Sequence, residues 1–161
     1  MELQQRRFIM FGGKQIVPLI GGGAAGAAQS LGSATDIHIF TIPFRCRPLR
    51  ALFIMTQTVS GGIAPIVKFD KRPTAGSDTD RGDGDVGTLT LSATGAAGKA
   101  YYEDTDYKDD SSGSWVGTLN EGDQVVVQVT TASGGNGTGI PWLLVEPDPE
   151  RPANNSAMVS G

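Results

Sequence analysis

The chain has 161 residues, a formal net charge of -4, 23 glycines, one histidine and one cysteine. That length suits one domain with a real core, and the single His and Cys exclude a disulfide framework and a Cys/His zinc centre. The acidic balance argues against a nucleic-acid partner, and no apolar run reaches the ~18 residues of a membrane span. Hydrophobic residues at 39% and charged residues at 19% both fall below average, while glycine stands at about twice its usual share.

Residues 1–35 read as an N-terminal arm. Charge and apolar residues mix up to Leu19, with Arg6, Arg7, Phe8-Ile9-Met10-Phe11, Lys14 and Ile16 to Ile20. The tract Gly21-Gly22-Gly23-Ala24-Ala25-Gly26-Ala27-Ala28 follows, with no side chains able to anchor a core. A secretion signal is the rival reading of this stretch. Lys14, Pro18 and the glycines interrupt the continuous apolar region that a signal requires.

From Asp36 to Pro152 the pattern is that of a β-sandwich body, with residues 153–161 as a C-terminal tail. Ile37–Ile42 alternates and stops at Pro43; Ile37, Ile39 and Thr41 are expected on one side and His38, exposed, on the other. Leu49–Val59, Pro65–Asp70, Thr88–Leu91 and Lys99–Glu103 follow, then Ser114–Leu119, Gln124–Thr131 and Ile140–Glu146. Runs of this length, rich in Val, Ile, Thr and aromatics and bounded by Gly, Pro, Asn and Asp, are strands. No window sustains helical periodicity, so the fold class is all-β: an antiparallel β-sandwich or jelly roll. Asn120-Glu121-Gly122-Asp123 is expected to turn Trp115–Leu119 into Gln124–Thr131 as a hairpin. Val125, Val127 and Val129 should face the core, and Trp142 should pack within it.

Few residues point to chemistry. The loops Asp78–Asp85 and Glu103–Asp110 carry the oxygen ligands calcium needs, but the first puts Gly82 where an EF-hand expects a ligand, and no glutamate closes it. Solvated surface loops are the simpler reading, and no metal or other cofactor is expected. Arg81-Gly82-Asp83 matches the integrin-recognition tripeptide, a short triplet that chance supplies readily. Cys46 between Arg45 and Arg47 suggests an activated thiolate, yet strand neighbours point to opposite faces and no second histidine exists to pair with it. Nothing selects a carboxylate pair for glycoside hydrolysis from the many loop acids, and Trp115 is a lone sugar-stacking candidate. No catalytic residue is expected. Arg45, Arg47 and Arg50, with Arg72 nearby if the strands pair, form the one cationic concentration, suited to an acidic patch on a partner.

The apolar arm, the Gly/Ala tract, the sandwich body, strand patterns such as Gln124-Val125-Val126-Val127-Gln128-Val129-Thr130-Thr131 and the closing Val145–Pro152 together resemble the decoration (cement) proteins of tailed-phage capsids. That resemblance implies a non-enzymatic virion protein on the outer capsid surface, a homo-oligomer with a trimer favoured over a dimer. Its partner would be the major capsid protein, whose neighbouring subunits it would bridge. Phe8, Ile9, Met10, Phe11, Ile16, Val17, Leu19 and Ile20 are the expected contact, with Arg45, Arg47 and Arg50 beside them. A neck, tail or head-fibre component is the alternative, and a calcium- or carbohydrate-binding module is a third reading from a different class.

Overall fold

Alternating apolar runs broken by Gly, Pro and Asp have one way to bury their apolar side, which is to pair edge to edge and stack face to face. The computed structural model describes residues 9–11, 14–19, 27–72, 85–104 and 118–147. Within them run β1 (Ile9–Phe11), β2 (Lys14–Leu19), β3 (Gln29–Ser30), β4 (Asp36–Thr41) and β5 (Cys46–Gln57). After these come β6 (Ile66–Arg72), β7 (Asp85–Thr90), β8 (Ala100–Asp104), β9 (Gln124–Thr131) and β10 (Thr138–Pro147). A six-stranded sheet has the order β1-β2-β10-β5-β8, with β3 also on β10; a four-stranded sheet has the order β4-β9-β6-β7. Each pairing is antiparallel, and no described residue is helical. The chain is an all-β sandwich.

The core lies between the sheets. Ala51, Phe53, Met55, Leu143 and Val145 enter from the larger one; Phe40, Val67, Phe69, Val86, Leu89, Val125, Val127 and Val129 enter from the smaller. Phe40 and Phe69 stack with ring centroids 6.3 Å apart. Phe53, Phe40 and Phe69 are the largest fully buried side chains, so truncating any of them costs about 3–5 kcal/mol. Gly87 marks a close approach of the layers, because a Cβ there would lie 2.7 Å from that of Ala51.

Val125, Val127 and Val129 of β9 face inward as expected, and β9 sits between β4 and β6. Four expectations change. On β4 the inward face is Phe40, continued past the strand by Ile42, each 1% exposed, while Ile39 is only half-buried and Thr41 is exposed. His38 shares that inward face, its ring edge-on to Phe40 at 4.8 Å. A bulge between Asp36 and His38 lets Ile37 touch the core as well. The bulkiest side chain of the strand sets its orientation, and an alternation count through a bulge slips by one.

Second, the turn at Glu121-Gly122 exists, but Leu119 before it pairs with Cys46 at the start of β5 rather than with β9. Leu119 and Cys46 exchange both backbone hydrogen bonds at 2.8 Å. Third, Trp142 lies on the far side of β10 from the core, since the strand buries Leu143 and Val145. Fourth, the sandwich begins ahead of Asp36: Leu31 is fully buried and β3 pairs with β10. Trp115, residues 73–84 and residues 148–161, the C-terminal tail among them, lie outside the described residues.

Candidate functional site

The two outer faces of the sandwich differ in chemistry. Cross-strand partners share a face, so the register lays out rows on the larger sheet. Trp142, Leu52 and Tyr102 form one row; Ile140, Ile54 and Ala100 form the next. Leu144, across from Arg50, opens a third. Trp142, Leu52, Ile54, Ile140 and Leu144 are half-buried, whereas Tyr102 is 59% exposed. The Trp142 Nε1 atom is buried with no hydrogen-bond partner, a costly state for a donor. Arg50 places its guanidinium 4.3 Å from the centre of the Tyr102 ring, a cation–π contact worth about 0.5–1 kcal/mol at an exposed position.

The outer face of the smaller sheet is charged. Register groups Asp36, Lys68, Gln128, Asp70, Val126, Ile39, Arg72 and Gln124 there. Lys68 Nζ lies 2.9 Å from Asp70 and Arg72 lies 3.8 Å from Asp36. On this face Val126 is only 3% exposed.

The N-terminal strands extend the larger sheet. β2 runs along the edge of β10 with Leu19 opposite Leu143, Pro18 opposite Leu144 and Val17 opposite Val145. β1 pairs back on β2, Ile9 to Ile16 and Phe11 to Lys14. Of the expected arm contacts, Ile9, Met10 and Phe11 therefore stand on β1 and Ile16, Val17 and Leu19 on β2; Phe8 and Ile20 lie outside the described residues. The signal for this hairpin is in the sequence: a Gly-Gly pair, Gly12-Gly13, between two apolar runs is a composition that reads as a turn.

The arginines do not act as one cluster. Arg45 is exposed at the foot of β5. Arg47 reaches Glu146 on the paired strand at 3.5 Å with its side chain 44% exposed, so that pair contributes at most about 1 kcal/mol. Arg50 lies on Tyr102, and Arg72 belongs to the opposite sheet with Asp36. Cys46 is fully buried and carries no accessible thiol.

The roots of the two acidic loops meet. Asp85 opens β7 after the first loop, and Glu103 lies at the end of β8 before the second. Both converge on Thr88: its backbone N–H donates to Glu103 Oε2 at 2.5 Å, and its hydroxyl donates to Asp85 Oδ2 at 3.2 Å. Glu103 thereby ties β8 to the outer edge of β7 and occupies an amide that an open edge would present to another chain. The interiors of both loops, Arg81-Gly82-Asp83 included, lie outside the described residues. Among the described residues, no group of three His, Cys, Asp or Glu stands close enough to hold a metal ion.

Set against family models, curated proteins and solved structures, the chain matches none of them.

Proposed function

We propose that this chain is a structural virion protein of a tailed bacteriophage, seated on the outer capsid surface, where it bridges major capsid protein subunits and reinforces the shell. Beside the resemblance set out above, one observation supports the reading: the apolar outer face of the six-stranded sheet, continuous with the N-terminal strands, opposite a charged face on the other sheet. A protein that lies flat on a particle needs one face to bury and one to keep wet. Repetition over a lattice multiplies a modest contact, and self-association of the subunits adds avidity without new chemistry.

The test is size-exclusion chromatography with light scattering on the protein alone and mixed with undecorated capsids. Co-elution at hundreds of copies per particle is the expected result; tens of copies would assign the chain to a neck, tail or head fibre. A chain that stays free of the particle would overturn both. Deleting Met1–Ile20 should leave a folded sandwich that no longer decorates, and unimpaired decoration by that truncation would remove the N-terminal strands from the contact.

A second reading, a calcium-dependent binding module, draws on the convergence of Asp85 and Glu103 at Thr88. It predicts a higher melting temperature in calcium than in chelator. Identical melts in the two would dispose of it.

A further inference from the structure

Four loops close one end of the sandwich, and they interlock through backbone groups. The Leu31 N–H donates to the Gly137 carbonyl and the Ser133 N–H to the Leu31 carbonyl, each at 2.9 Å. The Ser60 N–H donates to the Asn136 carbonyl at 2.8 Å, and the Asn136 N–H donates to Ser60 Oγ at 2.9 Å. Asn136 is thus clasped on both sides by one serine, while its side chain sits on an exposed residue. It is also the only asparagine in the chain that is followed by glycine.

An asparagine before glycine carries its own reaction. The Gly137 backbone nitrogen, on losing its proton, can attack the Asn136 side-chain carbon Cγ. A C–N bond forms, the bond from Cγ to the side-chain nitrogen breaks, and ammonia leaves with a proton, giving a five-membered succinimide. Water then opens the ring at either carbonyl, yielding aspartate or isoaspartate. With no side chain on glycine, nothing shields the attacking nitrogen. Ring closure needs rotation about the Asn136 Cα–C bond. The two Ser60 bonds hold the Asn136 N–H on one side of that bond and its carbonyl on the other, and the Leu31 bond to the Gly137 carbonyl anchors the residue that follows.

We propose that Asn136 is a deamidation site under control of this latch: closed, the loop holds the reaction back; open, it reacts, and the isoaspartate product cannot close again. Isoaspartate inserts a methylene into the backbone, so the N–H and carbonyl of residue 136 no longer both meet Ser60. The rate then follows the population of the open loop, as for any reaction gated by local unfolding.

The experiment is peptide mapping by mass spectrometry of the full chain held in mildly alkaline buffer, folded or unfolded in urea. Folded protein should convert at Asn136 at least about tenfold more slowly than unfolded protein. Ser60→Ala, which removes one arm of the clasp, should speed conversion in the folded state about fivefold. Asn136→Gln should abolish the mass change in that peptide. Equal rates in folded and unfolded chains, or an unchanged rate in folded Ser60→Ala, would overturn the proposal. Should Ser60→Ala fail to fold, hydrogen exchange on the wild type decides. Conversion measured over a temperature series must rise in parallel with exchange at the Leu31 and Ser60 amides, and a lack of parallel would overturn it equally.

Discussion

The two ends of the sandwich are closed by different means. At one end, segments 31–35, 58–65, 91–99 and 132–137 meet through backbone hydrogen bonds among Leu31, Val59, Ser60, Gly95, Ser133, Asn136 and Gly137. Small residues let the main chains approach: a Cβ on Gly135 would lie 2.9 Å from the Ser60 carbonyl oxygen, and one on Gly61 only 2.5 Å from that of Ser133. At the other end backbone bonds of Ile42 with Gly122 and Asp123, and of Cys46 with Leu119, are reinforced by charged side chains. Asp123 accepts the Asn120 N–H at 2.8 Å and meets Lys71 at 3.1 Å, Arg47 meets Glu146, and Asp85 and Glu103 gather on Thr88. The difference teaches where each end is vulnerable. Backbone closure tolerates no added volume, whereas side-chain closure tolerates volume but not the loss of a partner.

The largest effect that would test this contrast is at Gly61, whose φ of 103° and crowding against Gly134 and Gly135 admit no side chain. Gly61→Val should lower unfolding free energy by about 4 kcal/mol, from backbone strain and overpacking together. A urea titration measures it, and a loss under about 1 kcal/mol would mean that the loops yield more readily than their geometry implies. Next comes Asp123→Ala at the opposite end. It leaves the Asn120 amide without its acceptor and the largely buried Lys71 ammonium without its carboxylate, for a loss of about 2–3 kcal/mol. Asp123→Gly should cost at least as much, since volume is not what Asp123 supplies. If the alanine variant were neutral, the charged end would owe its closure to backbone after all.

The sequence carried this contrast unequally. Strand content, the sandwich class and the inward valines of β9 were legible because apolar alternation over a regular stretch has one burial solution. The inverted face of β4 was not, since the bulge at Asp36/His38 breaks the count. Trp142 illustrates a second limit. A tryptophan is read as core by size alone, but parity with Leu143 and Val145 assigns it to the outer face, and parity was there to be counted. The pairing of Leu119 with Cys46, and the meeting of Asp85 with Glu103, depend on which strands become neighbours. Local propensity holds no record of that choice. The hairpin of β1 and β2 lay in between, announced by Gly12-Gly13 but without a sign that β10 would be its partner.

The smallest effect concerns His38, which belongs to neither end and so reports on the sheet between them. Its ring sits edge-on to Phe40 beside the core, and burial lowers its pKa below the ordinary value of 6.5. Below that value the unfolded chain takes up a proton that the folded chain resists, so stability falls as pH drops through this window and is fully present above it. Because this is the only histidine in the chain, the decline between about pH 7 and pH 5 belongs to one residue, carboxylates titrating mainly below that range. Urea midpoints for wild type should therefore decrease over those two units, and those for His38→Leu should stay level. If the wild-type midpoint rose instead, the imidazolium would have to be gaining a partner in the fold. If His38→Leu kept the same slope, the titrating group would lie among the carboxylates of the charged end, and the contrast between the ends would extend to their response to acid.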